Sequence, residues 1–419
     1  MWDFIFQSMQ QQELIPHLFR TEFRKITAVL CRHFGIEHIE IAEDIASETF
    51  LSALETWPYK GIPDNPAAWL YAVAKNKAKN SIKRHDLFKQ KIASQVKSEL
   101  SKTEEVEIDL SEKNIQDSQL QMLFAICNPA IPTEAQIGLA LRILCGFGID
   151  EIATAFLTSK ETINKRLFRA REKLRDEKVL IEFPFGGEIN NRLETVLMTL
   201  YLLFSEGYYS ESNDMVMRED LCMEAKRLTY LLIENEQTNL PQVNALFALM
   251  CFHSSRFEAR KNKNGELVLY EDQDESLWDQ DLIAKGSYHL HQSSQGNKFS
   301  KYHLEASIAY WHTIKNDTKE KWSSILQLYN HLLAKEYSPI AALNRTYVLS
   351  KVYGKQKAIS EAEKLCLENN QYYYSLLGEL YTDIDNVKAI QNFQKAFLLA
   401  KTSPDRKIIE KKIHSIFQK

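Results

Sequence analysis

Apolar residues recur at helical spacing along almost the whole of this chain, and strand-like alternation is nearly absent. Apolar positions three and four residues apart mark one face of an α-helix, whereas a half-buried strand alternates at every second residue. The best strand candidate, residues 266–270 after Asn264 and Gly265, is too short to form a sheet alone. Glycine is scarce, and prolines such as Pro58, Pro129 and Pro184 stand at apparent boundaries between segments. The chain is therefore predicted to be all-α.

Length and residue usage narrow the class of protein further. A chain of 419 residues is long enough for about three domains. No window contains the roughly 18 consecutive apolar residues of a membrane span, and the first residues lack the basic region of a signal peptide. The cysteines are dispersed, with no C-x-x-C pair and no histidine cluster at zinc spacing. We expect a cytoplasmic protein with buried thiols, without a disulfide framework and without membrane association.

Residues 146–175 have the pattern of two short helices around a tight turn. Ser159 can cap the second helix by accepting a backbone N–H. In that helix Ile163, Leu167, Ala170 and Leu174 form an apolar stripe, and the opposite side is polar and basic. This layout is typical of a helix-turn-helix recognition helix. Many amphipathic helices with a basic solvated face bind nothing, so this stretch alone leaves that alternative open.

Charge is distributed unevenly although the whole chain has a net charge of only −4. Residues 75–84 and residues 160–175 each have a net charge of +5, whereas residues 104–117 between them have −5. Two basic segments joined by an acidic one indicate two contact points on a single polyanion.

Residues 10–88 form the first predicted unit, with helices over 18–34, 41–57 and 67–84 separated by a turn-forming loop at 58–66. The third helix begins with Trp69 and Tyr71 and continues into a run of lysines and asparagines. Aromatic surfaces beside cations suit single-stranded nucleic acid. In the alternative interpretation Trp69, Leu70 and Val73 are core residues and only the lysines are solvated. For Trp69 taken alone, we prefer this core interpretation.

A repeat of 34 residues lies near the C-terminus. Ile340, Leu343, Tyr347 and Ala362 recur as Tyr374, Leu377, Tyr381 and Ala396. The second copy, which includes Gly378 and Phe393, resembles the tetratricopeptide (TPR) pattern. Small Gly378 and Ala396 would let paired helices approach, while Tyr381 and Phe393 fill the space between them.

No motif for catalysis stands out: glycine-rich phosphate loops, G-x-S-x-G and supported Cys–His pairs are all missing from the sequence. Asp272-x-Asp274 and Asp279-x-Asp281 lack the glycine and bidentate glutamate of a calcium loop, so helix capping is the preferred role for Asp274 and Asp279. We expect a non-enzymatic protein with no metal and no cofactor.

Three stretches together resemble sigma-70 family sigma factors of the extracytoplasmic-function (ECF) group. Residues 43–57 are similar to region 2.1–2.2, residues 68–80 to regions 2.3–2.4, and residues 147–175 to region 4.2. The C-terminal half resembles a subgroup in which a TPR-like extension follows the sigma core, through residues 201–208, 218–225 and 272–279. One departure is Leu157, because the turn of a helix-turn-helix often has glycine at this point.

The resemblance implies specific roles for residues of both sigma regions. In region 4, bases of the −35 element would be contacted by Asn164, Lys165, Phe168 and Arg169, and phosphates by Arg166, Arg171 and Lys173. In region 2, the 59–65 loop would capture a flipped base of the −10 element. The implied −10 residues are Tyr59, Lys60, Asn65, Trp69, Lys77, Asn80, Lys83 and Arg84. Asp44, Glu48, Phe50 and Leu51 would bind polymerase.

The resemblance also implies a domain order and a function. The expected order is region 2 at 10–88, an acidic linker at 89–118, region 4 at 119–180 and a TPR-like helical domain at 188–419. The expected partners are core RNA polymerase, through its β′ clamp and β flap, promoter DNA, and a regulatory protein at the TPR-like domain. The alternative is a stand-alone helix-turn-helix regulator with a TPR sensor, which would not need the acidic helix at 43–57.

Overall fold

The computed structural model describes residues 2–93, 108–156, 158–208, 218–262, 268–295 and 299–417, with side chains described except at 2–13, 20, 37, 84–93 and 155. The regular secondary structure of its described part is helical, apart from one isolated backbone bridge in which the Val268 N–H donates to the Arg260 carbonyl. The all-α prediction is confirmed. Of the strand candidate at 266–270, residues 266 and 267 lie outside the described ranges and Tyr270 begins a short 3₁₀ helix. The chain forms two compact units, residues 1–199 and residues 200–419.

The first unit begins with three helices that match the predicted first segment. They are α1 (Trp2–Phe34), α2 (Ile39–Lys60) and α3 (Pro66–Ala93). Five helices follow after the acidic stretch, the last of which continues into the second unit: α4 (Glu112–Ile126), α5 (Thr133–Leu139), α6 (Ile149–Ala155), α7 (Lys160–Asp176) and α8 (Glu188–Tyr208). A π-helical turn, Ala140–Leu144, extends α5.

Helix α2 runs past the point where its sequence predicted a loop. Pro58 lies inside the helix, and Tyr59 and Lys60 form its last turn. Gly61, with a φ of 83°, ends the helix by donating its N–H to the Trp57 carbonyl at 3.0 Å. A non-glycine residue is strained at that φ, so the glycine fixes the corner between α2 and α3. The connecting loop is residues 61–65 instead of the predicted 58–66.

The acidic stretch is helical at its C-terminal end. Helix α4 begins at Glu112 and is capped by Ser111, whose hydroxyl accepts from the Asn114 N–H. Ile108 is fully buried, and residues 108–111 line a cleft together with residues of α3 such as Tyr71 and Lys75. Residues 94–107 of the predicted linker lie outside the described ranges.

The second unit contains the repeat predicted from the sequence. Its helices are α9 (Glu219–Glu234), α10 (Pro241–Ser254), α11 (Gln280–Ser293), α12 (Lys301–Trp311), α13 (Lys319–Lys335), α14 (Pro339–Tyr353), α15 (Lys355–Glu363), α16 (Gln371–Tyr381), α17 (Asn386–Leu399) and α18 (Ser403–Phe417). The two copies of the repeat form the successive helix pairs α14–α15 and α16–α17. A Cβ added to Gly378 would lie 2.7 Å from the Phe393 ring, so the predicted close approach of these helices is confirmed.

Several smaller predictions about the second unit can be compared with the structure. Asp274 and Asp279 do cap helices, because their carboxylates accept from the Ser276 and Leu282 N–H groups. In the described part of the chain, no group of three His, Cys, Asp or Glu side chains is placed to hold a metal ion. All six cysteines are free, and Cys366 is exposed, unlike the other five. Among the helices described, none has the length and hydropathy needed to cross a bilayer.

Candidate nucleic-acid interface

Helix α7 separates an apolar stripe from a polar, basic face. Ser159 caps the helix as predicted, with its hydroxyl accepting from the Thr162 N–H at 3.2 Å. The predicted stripe of Ile163, Leu167, Ala170 and Leu174 is buried. Because 3.6 residues make one turn, the positions between them point away from the core. The Leu157 position of the turn lies outside the described residues.

Four side chains with the chemistry of base contacts lie on the outer face of α7. They are Asn164, Lys165, Phe168 and Arg169, and all four are exposed. Phe168 keeps 56% of its surface in solvent although it is a large apolar residue. Singly exposed apolar side chains are common on protein surfaces, but a phenyl ring at this position of α7 could pack against a thymine methyl group in a groove. These four side chains present two cations, an amide and an aromatic ring on one exposed face, which we call the reading face after its predicted role.

The basic residues assigned to phosphates differ in their surroundings. Lys173 is exposed and pairs with Glu177 at 2.6 Å, and this hydrogen bond raises the pKa of the lysine. The Arg166 guanidinium lies 5.6 Å from the centre of the Phe156 ring. The Arg171 side chain is largely covered and pairs with Glu40 and Glu43 of α2. Arg171 therefore cannot hold a phosphate in this conformation, so its assigned role does not fit the structure as it stands.

The corner between α2 and α3 holds the second set of predicted DNA contacts. Tyr59 is 89% exposed at the end of α2, beside exposed Lys60, and Asn65 accepts from the Ala68 N–H at 3.0 Å. Trp69 is half-buried, and its ring meets that of the fully buried Trp57 edge-on, 5.4 Å between centres. Trp69 is thus partly a core residue, as its alternative interpretation stated, while Tyr59 offers a free ring for stacking.

The basic end of α3 is only partly available for a nucleic acid. Lys77 pairs with Glu48 of α2 at 3.2 Å. A residue predicted to contact DNA is therefore ion-paired with a residue predicted to contact polymerase. Asn80 and Lys83 are exposed, and the Arg84 side chain lies outside the described residues. Nearby, burial and a hydrogen bond donated to Glu22 raise the pKa of Tyr71, so this tyrosine stays protonated.

One face of α2 remains open along its length. Asp44, Glu48 and Leu51 are exposed, and Leu51 keeps 52% of its surface in solvent. Phe50 does not belong to this face. It is 3% exposed and packs on Phe19 and Phe23, with ring centres 5.1 and 6.5 Å away. The assignment of Phe50 as a polymerase contact is inconsistent with this burial, since its ring supports the face from beneath.

Comparisons with known proteins match both halves of this interface. Residues 18–88 match the model of sigma-70 region 2, and residues 65–179 match the ECF sigma factor model. The chain is an ECF sigma factor of the sigma-70 family. Residues 192–294 match a family of unknown function, DUF6596. The chain is 32% identical over 379 residues to the uncharacterized protein R00370 of Rhizobium meliloti (strain 1021), covering 88% of both. No solved structure matches it.

The sequence did not reveal the residues that join α2 to the later helices of the first unit. Glu43 accepts from Arg142 at 2.7 Å and from Arg171 at 3.3 Å, although 99 and 128 residues separate these pairs. Beside them, burial and the Glu43 carboxylate raise the pKa of the Cys31 thiol. The sequence feature that could have indicated this contact is Arg142, because it is the one charged residue between 135 and 149. A charge in such an apolar run requires a partner.

Proposed function

We propose that this sigma factor binds core RNA polymerase through α2, opens the −10 element at the α2–α3 corner and reads the −35 element with α7. The reading face of Asn164, Lys165, Phe168 and Arg169 carries the proposal, because these four side chains are exposed opposite a buried stripe. Lys165 and Arg169 can donate to guanine O6 and N7, and Asn164 can pair with adenine. Exposed Tyr59 supports base capture at the corner.

Transcription from genomic promoter fragments with purified core polymerase tests this function directly. A promoter-dependent transcript that requires the chain is the expected result. No transcript from any fragment would contradict it. Pull-down with core polymerase separates this proposal from a stand-alone helix-turn-helix regulator, which would bind DNA without retaining polymerase.

Leu51→Arg should weaken binding to core polymerase by about tenfold or more, since the variant loses an apolar contact and places an unpaired charge in the interface, and a loss of ~1.4 kcal/mol is already tenfold in affinity. Leu51 is 52% exposed, so the substitution leaves the core intact. Fluorescence anisotropy of the labelled chain against polymerase measures the affinity. Leu277→Arg is the matched control, because Leu277 is 49% exposed and lies in the second unit. If the two variants bind polymerase with equal affinity, the Leu51 face of α2 is not part of the polymerase interface.

The C-terminal unit is proposed to regulate the sigma core in cis or to bind a regulatory protein. Its aromatic residues do not all line a surface: Tyr373 is buried, whereas Tyr372 is 41% exposed. A truncated chain should keep α8, because Arg192 of this helix donates to the Phe124 carbonyl and Thr199 donates to Gln136 at 2.9 Å.

A chain that ends at Tyr208 should therefore differ from the full chain in promoter activity by about fivefold or more, the lower range of allosteric coupling. Transcript yield at equal polymerase saturation is the measurement. Polymerase affinity measured in parallel serves as the control, since it reports whether the shortened sigma core is still intact. Unchanged yield together with unchanged affinity would show that the C-terminal unit does not regulate the sigma core in cis.

A further inference from the structure

Arg256 lies in the interior of the second unit without a counter-charge. It follows the end of α10, and only 7% of its surface is exposed. Its Nε is buried without a hydrogen-bond partner, and no described carboxylate forms an ion pair with its guanidinium group. Arg171 and Arg192 also have a buried Nε of this kind, but their Nη atoms donate elsewhere. A buried cation without a partner is costly, so Arg256 is a candidate to bind an anion.

The ring of Tyr270 is the centre of a cluster that contains Arg256. The Arg256 guanidinium carbon lies 5.5 Å from the centre of this ring, and the His312 and Trp278 rings lie at 5.2 and 6.2 Å. The Tyr270 hydroxyl accepts from the ammonium group of Lys321 at 3.1 Å. We call these five residues the Tyr270 cluster. Its members come from separate elements between the end of α10 and the start of α13, so only the folded unit brings them together.

Lys321 is a second buried cation in the cluster. It is 1% exposed, and it also donates to the Ile314 carbonyl at 2.5 Å. Burial, opposed in part by Asp317, lowers the pKa of Lys321. Among the described residues, neither Asp317 nor Glu275 forms an ion pair with Lys321 or with Arg256. Two cations therefore share one tyrosine ring, and the nearby acids are paired with neither of them.

Several buried polar atoms in and beside the cluster also lack hydrogen-bond partners in the described part of the chain. They include Nε1 of Trp278 and the Nδ1 atoms of His312 and His253. Burial and the Arg256 charge lower the pKa of His312 to about 3 and that of His253 well below its usual value. Both imidazoles are therefore neutral, and each has one N–H to donate. Gln273 Oε1 is a buried acceptor without a partner, which a protonated oxygen would satisfy.

These groups have the chemistry that binds a small oxyanion. The guanidinium and ammonium groups supply positive charge, and the indole and imidazole N–H groups supply neutral donors. The oxygens of a phosphate or a carboxylate accept from all of them. The rings of the cluster pack on one another, so the ligand has to be small. Tyr270, His312 and Lys315 keep part of their surface in solvent, so the cluster reaches the surface of the second unit.

From these observations we propose that the Tyr270 cluster binds a small oxyanion, a phosphate or a carboxylate, through Arg256 and Lys321. Arg256, Tyr270 and Trp278 lie within the residues 192–294 that match DUF6596, whereas Lys321 lies beyond them. The site requires neither polymerase nor promoter DNA. It therefore goes beyond the proposed function, and its test does not depend on transcription.

Calorimetric titration of inorganic phosphate, and separately of acetate, into the full chain tests the site. Chloride keeps the ionic strength constant, so that general screening does not contribute. At least one of the two anions should bind. Arg256→Gln should weaken this binding by about tenfold or more, because hydrogen bonds to charged groups are among the stronger ones. Arg345→Gln is the matched control, since it removes the same charge from the same unit but its guanidinium already donates to Asn330 at 2.5 Å.

The comparison of the two anions identifies the oxyanion class, and binding of neither would refute the site. A folded Arg256→Gln chain that binds the anion as tightly as the unsubstituted chain would refute it as well. Arg256→Lys is the second variant in case Arg256→Gln disturbs folding. It keeps the charge but loses the fork of donors, so it should retain part of the affinity.

Hydrogen exchange on the unsubstituted chain locates the bound anion without any variant. Protection of residues 270–278 and of the end of α12 should rise when the anion is added, because a ligand stabilises the folded state that it binds. Protection of α7 should not change. If protection rises in α7 instead, the anion binds the basic face of that helix and the Tyr270 cluster is not the site.

Discussion

Replacing both Lys165 and Arg169 with alanine should reduce transcription from a cognate promoter by about 100-fold, while binding to core polymerase is unchanged. Both side chains are exposed on the reading face of α7. Each good contact to a base edge contributes about 1–3 kcal/mol of discrimination, so the loss of two contacts reaches this range. The apolar stripe of α7 is not altered, so the helix itself should remain folded.

Transcript yield from the cognate promoter and from one with a substituted −35 element measures this effect. Arg175→Ala with Lys178→Ala removes the same charge at the C-terminal end of α7 and just beyond it, past the four residues of the reading face. This control should lower the transcript yield from both promoters equally and only modestly, since phosphate contacts carry no sequence information. If both double variants lower the transcript yield from both promoters equally, α7 contributes only its positive charge and does not read the −35 element.

The elements predicted well from the sequence are those whose signals are local. The Ser159 cap, the buried stripe of α7 and the close approach at Gly378 each depend on residues a few positions apart or on one repeat period. Such signals survive in a single sequence because helix periodicity and capping act within one or two turns. The same locality explains why Asp274 and Asp279 were correctly read as caps.

Two predictions failed because distant packing decided the outcome. Pro58 has the chemistry of a boundary, yet α2 continues to Lys60 since buried Trp57 anchors its last turns and Gly61 terminates it. The resemblance assigned Phe50 to the polymerase contacts, but α1 brings Phe19 and Phe23 over its ring. Neither contact has a signature within α2.

The contacts of Glu43 with Arg142 and Arg171 could not have been predicted from one sequence. Glu43 is one acid among several on α2, and Arg171 is one cation among several on α7. Which acid meets which cation depends on how α4 and the π-helical turn pack on α1, and on how α7 packs on the short 3₁₀ turn at residues 36–38 before α2. Only Arg142 indicated that a partner exists, because a charged side chain within an apolar segment needs one. The sequence did not show which residue that partner is.

Trp57→Ala should destabilise region 2 by about 3–5 kcal/mol, the usual cost of truncating a large buried aromatic residue. Trp57 is 1% exposed and is among the largest fully buried side chains described. Its ring supports Trp69 on α3, and its carbonyl accepts from the Gly61 N–H that ends α2. The cavity should therefore loosen the α2–α3 corner that presents Tyr59.

Hydrogen exchange resolved by helix is the appropriate measurement, because a chain with two compact units need not unfold in one step. Protection of α2 and α3 amides should fall by roughly 100-fold or more, at about 1.4 kcal/mol per factor of ten. Leu54→Ala is the control, since Leu54 is on the same helix and 52% exposed. Protection of α10 and α16 should not change in either variant. If Trp57→Ala and Leu54→Ala alter α2 equally, the corner is held by the Gly61 turn and not by the buried indole, and promoter opening should then tolerate the loss of Trp57.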